Sequence, residues 1–337
     1  MKRIIVALLI VSLCSINSFG YGPRGHGLVG AIADKRLAKN QAVAKKVRKL
    51  LDGMTLQRAS TLPDEIKSWK CGRAPSGTNR INRELQAFVN ANCSQPPNHG
   101  EFHYTDVPVT GDEEYDGGAV GRGEFDIVQM IPFCIRVLKG EVPANNERAI
   151  TKSIAVILLT HYLGDIHQPL HVGAEFFDSH GKPFEPSATN VGFGDQGGNK
   201  LMLFTFVNGH LQSAGKLHSY WDTQAVQNAF GGQPDVTVVR RLSSKKPADW
   251  ELNGGVETWA QQLANGILPT AREARERLQY KSIQLQSGKH EINSGRAEER
   301  RHAAGETFYA IWAADIVKDE IHKGGWRLAA LLEEVVQ

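Results

Sequence analysis

The stretch AVILLTHYLGDIHQPLH, residues 155–171, constrains the fold of this chain more than any other. Apolar residues run unbroken from Ala155 to Leu159. The longer segment around them, ERAITKSIAVILLTHYLGDIHQ, predicts the longest apolar helix of the chain, limited by Pro169. His161 and Asp165 stand four residues apart and so share one face of that helix. An imidazole and a carboxylate at the edge of a core must satisfy each other or hold a metal. Pro169 breaks the helix and lets His171 turn back. The same spacing recurs in LHSYWD, which carries His218 and Asp222. Imidazole nitrogen with carboxylate oxygen is ordinary zinc chemistry. A single helical His–Asp pair is commonly a surface hydrogen bond; two such pairs plus a histidine beyond a helix break favour a metal.

Apolar spacing of three and four residues dominates elsewhere. GLVGAIADKRLA and QAVAKKVRKLLDG predict helices, the second closed by Gly53. GEFDIVQMIPFCIRVLKG predicts a helix entered near Phe125, kinked at Pro132 and closed by Gly140. AGETFYAIWAADIVKDEIH and WRLAALLEEVV predict two helices near the end of the chain. Strand signals are few: LMLFTFVNG and HLQSAGKLH predict one small hairpin. Residues 173–199 form a long Gly/Pro-rich loop of the kind that is often functional. QSGKHEINSGRAEERR, residues 286–301, is polar and charged and predicts an exposed insertion. The expected fold class is mainly α: one multi-helix domain over residues 21–337, with at most a small β-hairpin. GHGLVG and GFGDQG both match GxGxxG, but neither sits between a strand and a helix as dinucleotide binding requires.

Residues 1–20 predict a secretory signal peptide. Lys2 and Arg3 precede the apolar run 4–14, which is shorter than the roughly 20 residues that cross a bilayer. Ser18 and Gly20 put small side chains before a cleavage site at Tyr21. A secreted or periplasmic protein without stable membrane association is expected. Without Lys2 and Arg3 the chain carries 37 basic and 36 acidic residues, which excludes the broad basic groove that grips duplex backbone. In an oxidising compartment Cys71 and Cys93, which bracket one polar, loop-rich stretch, are the expected disulfide. Cys134 lies in the apolar run IVQMIPFCIRVL and is expected as a buried free thiol.

Further candidates are His26, Asp64 in STLPDEIKSW, and His103 with Asp106 in EFHYTDVP. Each alone has a plain structural reading, such as Asp64 at a helix start. Taken in order, YGPRGH, LPDEIKSW, FHYTDVP, THYLGDIHQPLHVG, GGNK, LHSYWDT and GGWRLAALL resemble the S1/P1 family of zinc-dependent nucleases, from Tyr21 nearly to the C-terminus. GDIHQPLH is the most specific of these motifs.

The resemblance implies a mostly helical single domain, related to zinc-dependent phospholipases C, with three Zn2+ in a cleft. It implies one zinc on Asp64, His103, His161 and Asp165, and a second on His171, His218 and Asp222. A third would take His26, Asp165 as a bridge, and the free amine and carbonyl of Tyr21 after cleavage. Asp106 is implied to orient or deprotonate the attacking water, or to act from behind the metals. Tyr104 occupies the base-stacking position, and Asn199 is implied to contact the base. His167 is not a family ligand, and His99, His180, His210, His290, His302 and His322 match no motif and are expected at the surface. Tyr21 stands where the family usually has tryptophan; the segment after HYTD also differs, so no substrate-contacting lysine is carried over from it.

The implied activity is hydrolysis of single-stranded DNA and RNA to 5′-phosphate products, with removal of the phosphate from 3′-nucleotides, by a monomer. Two other readings stay open. One is a zinc-dependent phospholipase C, which needs an apolar lipid-facing rim. The other is a non-catalytic exported zinc-binding protein with closed coordination and no need of Asp106.

Overall fold

The computed structural model describes residues 21–74, 77, 79–93, 97–301, 303 and 305–336; the expected signal peptide and His302 lie outside the described residues. The helices are α1 (Gly22–Leu37), α2 (Gln41–Leu50), the single turns α3 (Leu56–Ala59) and α4 (Leu62–Glu65), and α5 (Arg80–Asn92). They continue with α6 (Ile127–Lys139), α7 (Lys152–Asp165), the short α8 (Leu217–Ser219) and α9 (Ala225–Phe230), α10 (Asp235–Ser244), α11 (Trp259–Glu276) and α12 (Tyr309–Val335). The chain is mainly α, as expected.

The apolar segment becomes α7, which is buried from Ser153 through Asp165. A helix with no polar face must be covered all round, and α1, α2, α3, α4, α5, α6 and α12 pack against it. The Thr151 hydroxyl accepts the Ile154 N–H and caps its start. Asp126 caps α6 by accepting from Val128 and Gln129, and Gly140 closes that helix with φ of +81°.

The two helices expected near the C-terminus are one continuous helix, α12. Gly324 and Gly325 do not break it; they let it approach its neighbours. A Cβ on Gly325 would lie 2.6 Å from the Ile32 side chain of α1, and one on Gly324 would lie 3.1 Å from the Leu163 carbonyl of α7.

Small strands hold the loops near the end of α7. β1 (Val107–Pro108) pairs in parallel with β2 (Gly173–Ala174), and β3 (Phe176–Phe177) pairs antiparallel with β4 (Phe193–Gly194). The expected hairpin is present as β5 (Leu201–Val207) and β6 (His210–Lys216). A second hairpin, β7 (Leu278–Leu285) and β8 (Ile292–Glu299), joins it in the order β6-β5-β8-β7, with β8 parallel to β5. The β structure therefore exceeds one hairpin, and residues 286–301 are not simply an exposed insertion: β8 is a central strand.

Charge concealed that strand, because both Glu298 and Glu299 are buried. Glu299 accepts from the backbone N–H groups of Phe206 at 2.6 Å and Tyr309 at 2.5 Å, and Glu298 pairs with Lys281 and Arg296. Buried carboxylates are tolerated when so partnered.

Cys71 and Cys93 form a disulfide, with Cα atoms 5.8 Å apart, and Cys134 is a buried free thiol. His99 and His322, expected at the surface, are buried: the first packs on the Phe88 ring, and the second hydrogen-bonds through Nε2 to the Lys245 carbonyl at 2.7 Å. Among the described residues no helix is long and apolar enough to cross a membrane.

Two glycine substitutions test this packing in opposite directions. Gly325→Ala puts a methyl group into the α1–α12 crossing and is expected to destabilise by about 1–3 kcal/mol. Gly266→Ala, in α11 with nothing within 4 Å of the new methyl, is expected to stabilise by up to about 1 kcal/mol. Denaturant titration of both variants checks the pair.

Candidate metal centre

The C-terminal end of α7 brings His161 and Asp165 to one place, and the chain delivers partners from five other segments. His26 comes from the first turns of α1 and Asp64 from α4. His103 closes a 3-10 turn at Glu101–His103, and His171 closes another at Pro169–His171, where Pro169 has ended the helix. His218 lies in α8, and Asp222 lies in a π-helical turn, Tyr220–Gln224, that joins α8 to α9. π-turns are rare and occur mostly at functional sites. All of these side chains are buried.

They form three groups whose donor atoms lie within 4.8 Å of one another: His26, His161 and Asp165; Asp64, His103 and His161; His171, His218 and Asp222. Asp165 connects them. Its Oδ2 is 3.0 Å from His103 Nδ1 and 3.0 Å from His161 Nε2. Its Oδ1 is 3.2 Å from His26 Nε2 and 3.6 Å from His171 Nδ1. The His26 and His161 rings stack at 3.8 Å.

Backbone carbonyls aim the rings. His161 Nδ1–H donates to Ser60 at 2.6 Å, His171 Nδ1–H to His103 at 2.8 Å, and His218 Nδ1–H to Gly197 at 2.8 Å. Such bonds fix the tautomer and leave Nε2 as the free lone pair, as in metal-ligating histidines. Gln168 Nε2 donates to Asp222 Oδ1 at 3.0 Å and holds that carboxylate.

The donor set fits cations. His171 Nε2 and His218 Nε2 face each other at 3.1 Å although the other nitrogen of each ring already donates. Burial holds both rings below the usual histidine range, His218 at about 3, so two lone pairs point at one spot. Among the described residues His26 Nδ1 has no hydrogen-bond partner, His26 Nε2 and Asp165 Oδ1 have each other as their closest polar contact at 3.2 Å, and Asp64 Oδ1 is met most closely by the Lys67 ammonium. Buried polar atoms left this way are costly unless an ion satisfies them.

The acid–base balance agrees. Burial pulls His161 down, but the Asp165 and Asp64 carboxylates outweigh it and hold the ring above its ordinary value. Burial pushes Asp64 up, yet His161 and Lys67 bring it to about 2. Burial and the Lys67 charge lower His103 to about 3, leaving the neutral ring a metal requires. Asp222, by contrast, is raised well above the carboxylate range by burial.

A cavity of about 190 Å³ opens onto the groups, lined by His103, His171 and His218 and, around them, Lys67, Tyr104, Asp106, Gly197 and Asn199. Tyr104 is 36% exposed at its rim. Asp106 Oδ1 has no partner, and burial together with Asp195 pushes its carboxyl up to about 7. Gly121 lets this segment close, because a Cβ there would lie 1.8 Å from the Asp106 carbonyl. A larger cavity of about 770 Å³ lies elsewhere, between α1, α2 and α10, and contains none of these groups.

Tyr21 is fully buried; its hydroxyl donates to the His167 carbonyl and its carbonyl accepts from Gly25 at 3.1 Å. Gly22 beside it abuts the Asp222 carbonyl, where a Cβ would lie at 2.7 Å. His167 uses both ring nitrogens elsewhere, donating to Leu163 and accepting from Arg327 at 2.8 Å.

The sequence patterns missed two contributors. Lys67, in LPDEIKSW, ion-pairs with Asp64 at 2.7 Å and reaches the cavity; one helical turn beyond a candidate ligand is a spacing that pointed to it. Gly197, within the dismissed GFGDQG, supplies the carbonyl that aims His218, and no side-chain pattern reveals a carbonyl.

The chain is similar to plant endonucleases. Endonuclease 2 of Arabidopsis thaliana is 22% identical across 99% of this chain and 98% of its own length. Endonuclease 1 of the same plant is 27% identical over 68% of this chain, and Endonuclease 5 is 22% identical over 68%. Those two alignments span 61% and 64% of the relatives' own lengths. The S1/P1 Nuclease family model matches residues 21–337, so the chain belongs to the S1/P1 nuclease family.

Proposed function

We propose that this chain is a zinc-dependent endonuclease that hydrolyses phosphodiester bonds of single-stranded DNA and RNA to 5′-phosphate products, and that it also takes the phosphate from 3′-nucleotides. The observation that carries the proposal is the pair of Nε2 atoms of His171 and His218, which face each other at 3.1 Å on residues that line the cavity. Family membership and the endonuclease names of the relatives support the reaction class. Leu170 is the one aliphatic side chain among the cavity's lining residues, which otherwise include Lys67, Asp106, Gln196 and Asn199; a set with so few aliphatic groups favours a nuclease over a phospholipase C. The unpartnered Asp106 carboxylate favours catalysis over zinc storage.

The proposed ligands are Asp64, His103, His161 and Asp165 for one ion, and His171, His218 and Asp222 for a second. His26, Asp165 and the backbone of Tyr21 hold a third. Bound zinc supplies Lewis acidity that brings the pKa of water towards 7 and offsets phosphate charge.

The protein's own groups do the rest. Asp165 offers one oxygen to the His103–His161 side and the other to His26, so it would serve two ion sites at once. Lys67 places its ammonium among the cavity walls, where it meets a phosphate oxygen. Asp106 orients the attacking water and takes its proton, since a carboxyl near 7 exchanges protons readily at neutral pH. Tyr104 offers a half-exposed ring to an unpaired base and Asn199 an amide to its edge. Stacking tolerates any base but needs it unpaired, hence the preference for single strands. Removal of residues 1–20 during export frees the Tyr21 amine, in a secreted or periplasmic enzyme that works as a monomer.

Three measurements test the proposal. Chelation is expected to abolish hydrolysis of denatured DNA and lower Tm, with zinc restoring both; activity unchanged in zinc-free protein refutes it. Asp106→Asn is expected to cut kcat by about 10²–10⁴-fold with zinc content intact, whereas Asp165→Asn loses zinc as well as activity. Elemental analysis beside kinetics separates the two, and full zinc retention in Asp165→Asn removes it as a bridge. A Met-Gly extension before Tyr21 is expected to cost zinc and most activity, both regained on trimming. If the extended protein is equally active and zinc-loaded, the amine is not a ligand.

A further inference from the structure

Residues 286–301 belong to no motif, and the proposed reaction uses none of them. In the fold they set β8 and β7 beside β5 and β6. Leu201 and Leu203 face the core, and the opposite face of the sheet carries one rank in register: Lys216 on β6, Met202 on β5, Arg296 on β8 and Lys281 on β7. All four side chains are exposed. Strands about 4.8 Å apart make this rank about 14 Å wide.

Lys281 and Arg296 stand directly opposite each other, an arrangement of like charges that by itself weakens a sheet. Buried Glu298 offsets part of that repulsion, with its oxygens 2.6 Å from Lys281 Nζ and 2.7 Å from Arg296 Nη2. Three cations against this single acid leave the face positive in a chain that is otherwise almost neutral. The Arg296 guanidinium also lies 4.0 Å over the Phe204 ring. A guanidinium plane backed by an aromatic ring is a platform on which an unpaired base stacks.

The rank is tied to the cavity by short stretches of chain. Met202 follows Asn199 by three residues and Lys216 precedes His218 by two, and both Asn199 and His218 line the cavity. The cations thus sit at the end of the sheet where β5 leaves the site and β6 returns to it.

We propose that this sheet face is a second contact for single-stranded nucleic acid, on which the strand entering the cavity lays the nucleotides beyond the one being cut. The inference rests on the nuclease reading. Phosphates meet Lys216, Arg296 and Lys281, and one base stacks on the Arg296–Phe204 pair. The second hairpin thereby turns a small catalytic cavity into an enzyme that favours long strands over dinucleotides.

The test uses two double variants, Lys216→Glu with Met202→Glu, and Arg296→Gln with Glu298→Gln. The second removes a cation without leaving its buried carboxylate unpaired. Steady-state kinetics compare a single strand of about 30 nucleotides with a dinucleoside monophosphate, at low and high salt. KM for the long strand is expected to rise about tenfold at low salt, with its kcat and both constants for the dinucleotide unchanged. The slope of log affinity against log salt is expected to fall by about 0.7 per lost phosphate contact.

An unchanged KM for the long strand in both variants overturns the proposal, as does an equal loss on both substrates. If the wild-type protein cuts neither substrate, the nuclease reading fails, and anisotropy of a fluorescein-labelled oligothymidylate then judges the surface alone. Weaker binding in the variants keeps it; absent or unchanged binding removes it.

Discussion

The structure depends on a carboxylate in an unfavourable place. Asp165 is the last residue of α7 and is fully buried. Its negative charge adds to the negative end of the helix dipole, where a cation is normally favoured. Burial alone would keep it protonated, yet His161, His171 and His26 hold it well below the usual carboxylate range. Positive charge must therefore surround it. Of the helices packed on α7, α1 delivers His26 and α4 delivers Asp64, and turns around its C-terminal end add His103, His171, His218 and Asp222. Helix packing and the charge balance of the candidate site are one constraint here, because the most buried helix ends in the most demanding group.

Three of the histidines are oriented by main chain rather than by further side chains. Ser60, His103 and Gly197 belong to three separate loops, and their carbonyls aim three histidines. Two of these loops are themselves pinned: Thr105 N–H donates to the His171 carbonyl at 2.9 Å, and the Arg275–Asp195 pair at 2.6 Å anchors the turn that carries Gly197. Both Arg275 and Asp195 are buried, so breaking their pair would strand a charge beside the site. The rigidity that metal chemistry demands thus resides in groups behind the donor atoms as well as in the donors themselves.

Legibility followed local periodicity. The buried helix, its proline stop, the His–Asp spacing, the β5–β6 hairpin and the disulfide were all readable, since each is set by residues near one another or by a simple compartment argument. The C-terminal helix was misread as two, because Gly324 and Gly325 look like punctuation until α1 and α7 lie against them. β8 was misread as exposed, because two glutamates argue for solvent unless Lys281, Arg296 and backbone donors from other segments are known to meet them.

By itself the sequence determined the kinds of atom available for chemistry: imidazole and carboxylate at helical spacing, repeated, with a histidine just past a proline. Those are local facts, fixed by a rise of about 1.5 Å per residue. Only the tertiary structure decided which groups share an ion's volume, that Asp165 faces two of them with different oxygens, that Lys67 enters the cavity, and that Lys216, Arg296 and Lys281 fall into one rank. These depend on how segments far apart in the chain are pressed together around α7, and on strand register, which no single segment encodes.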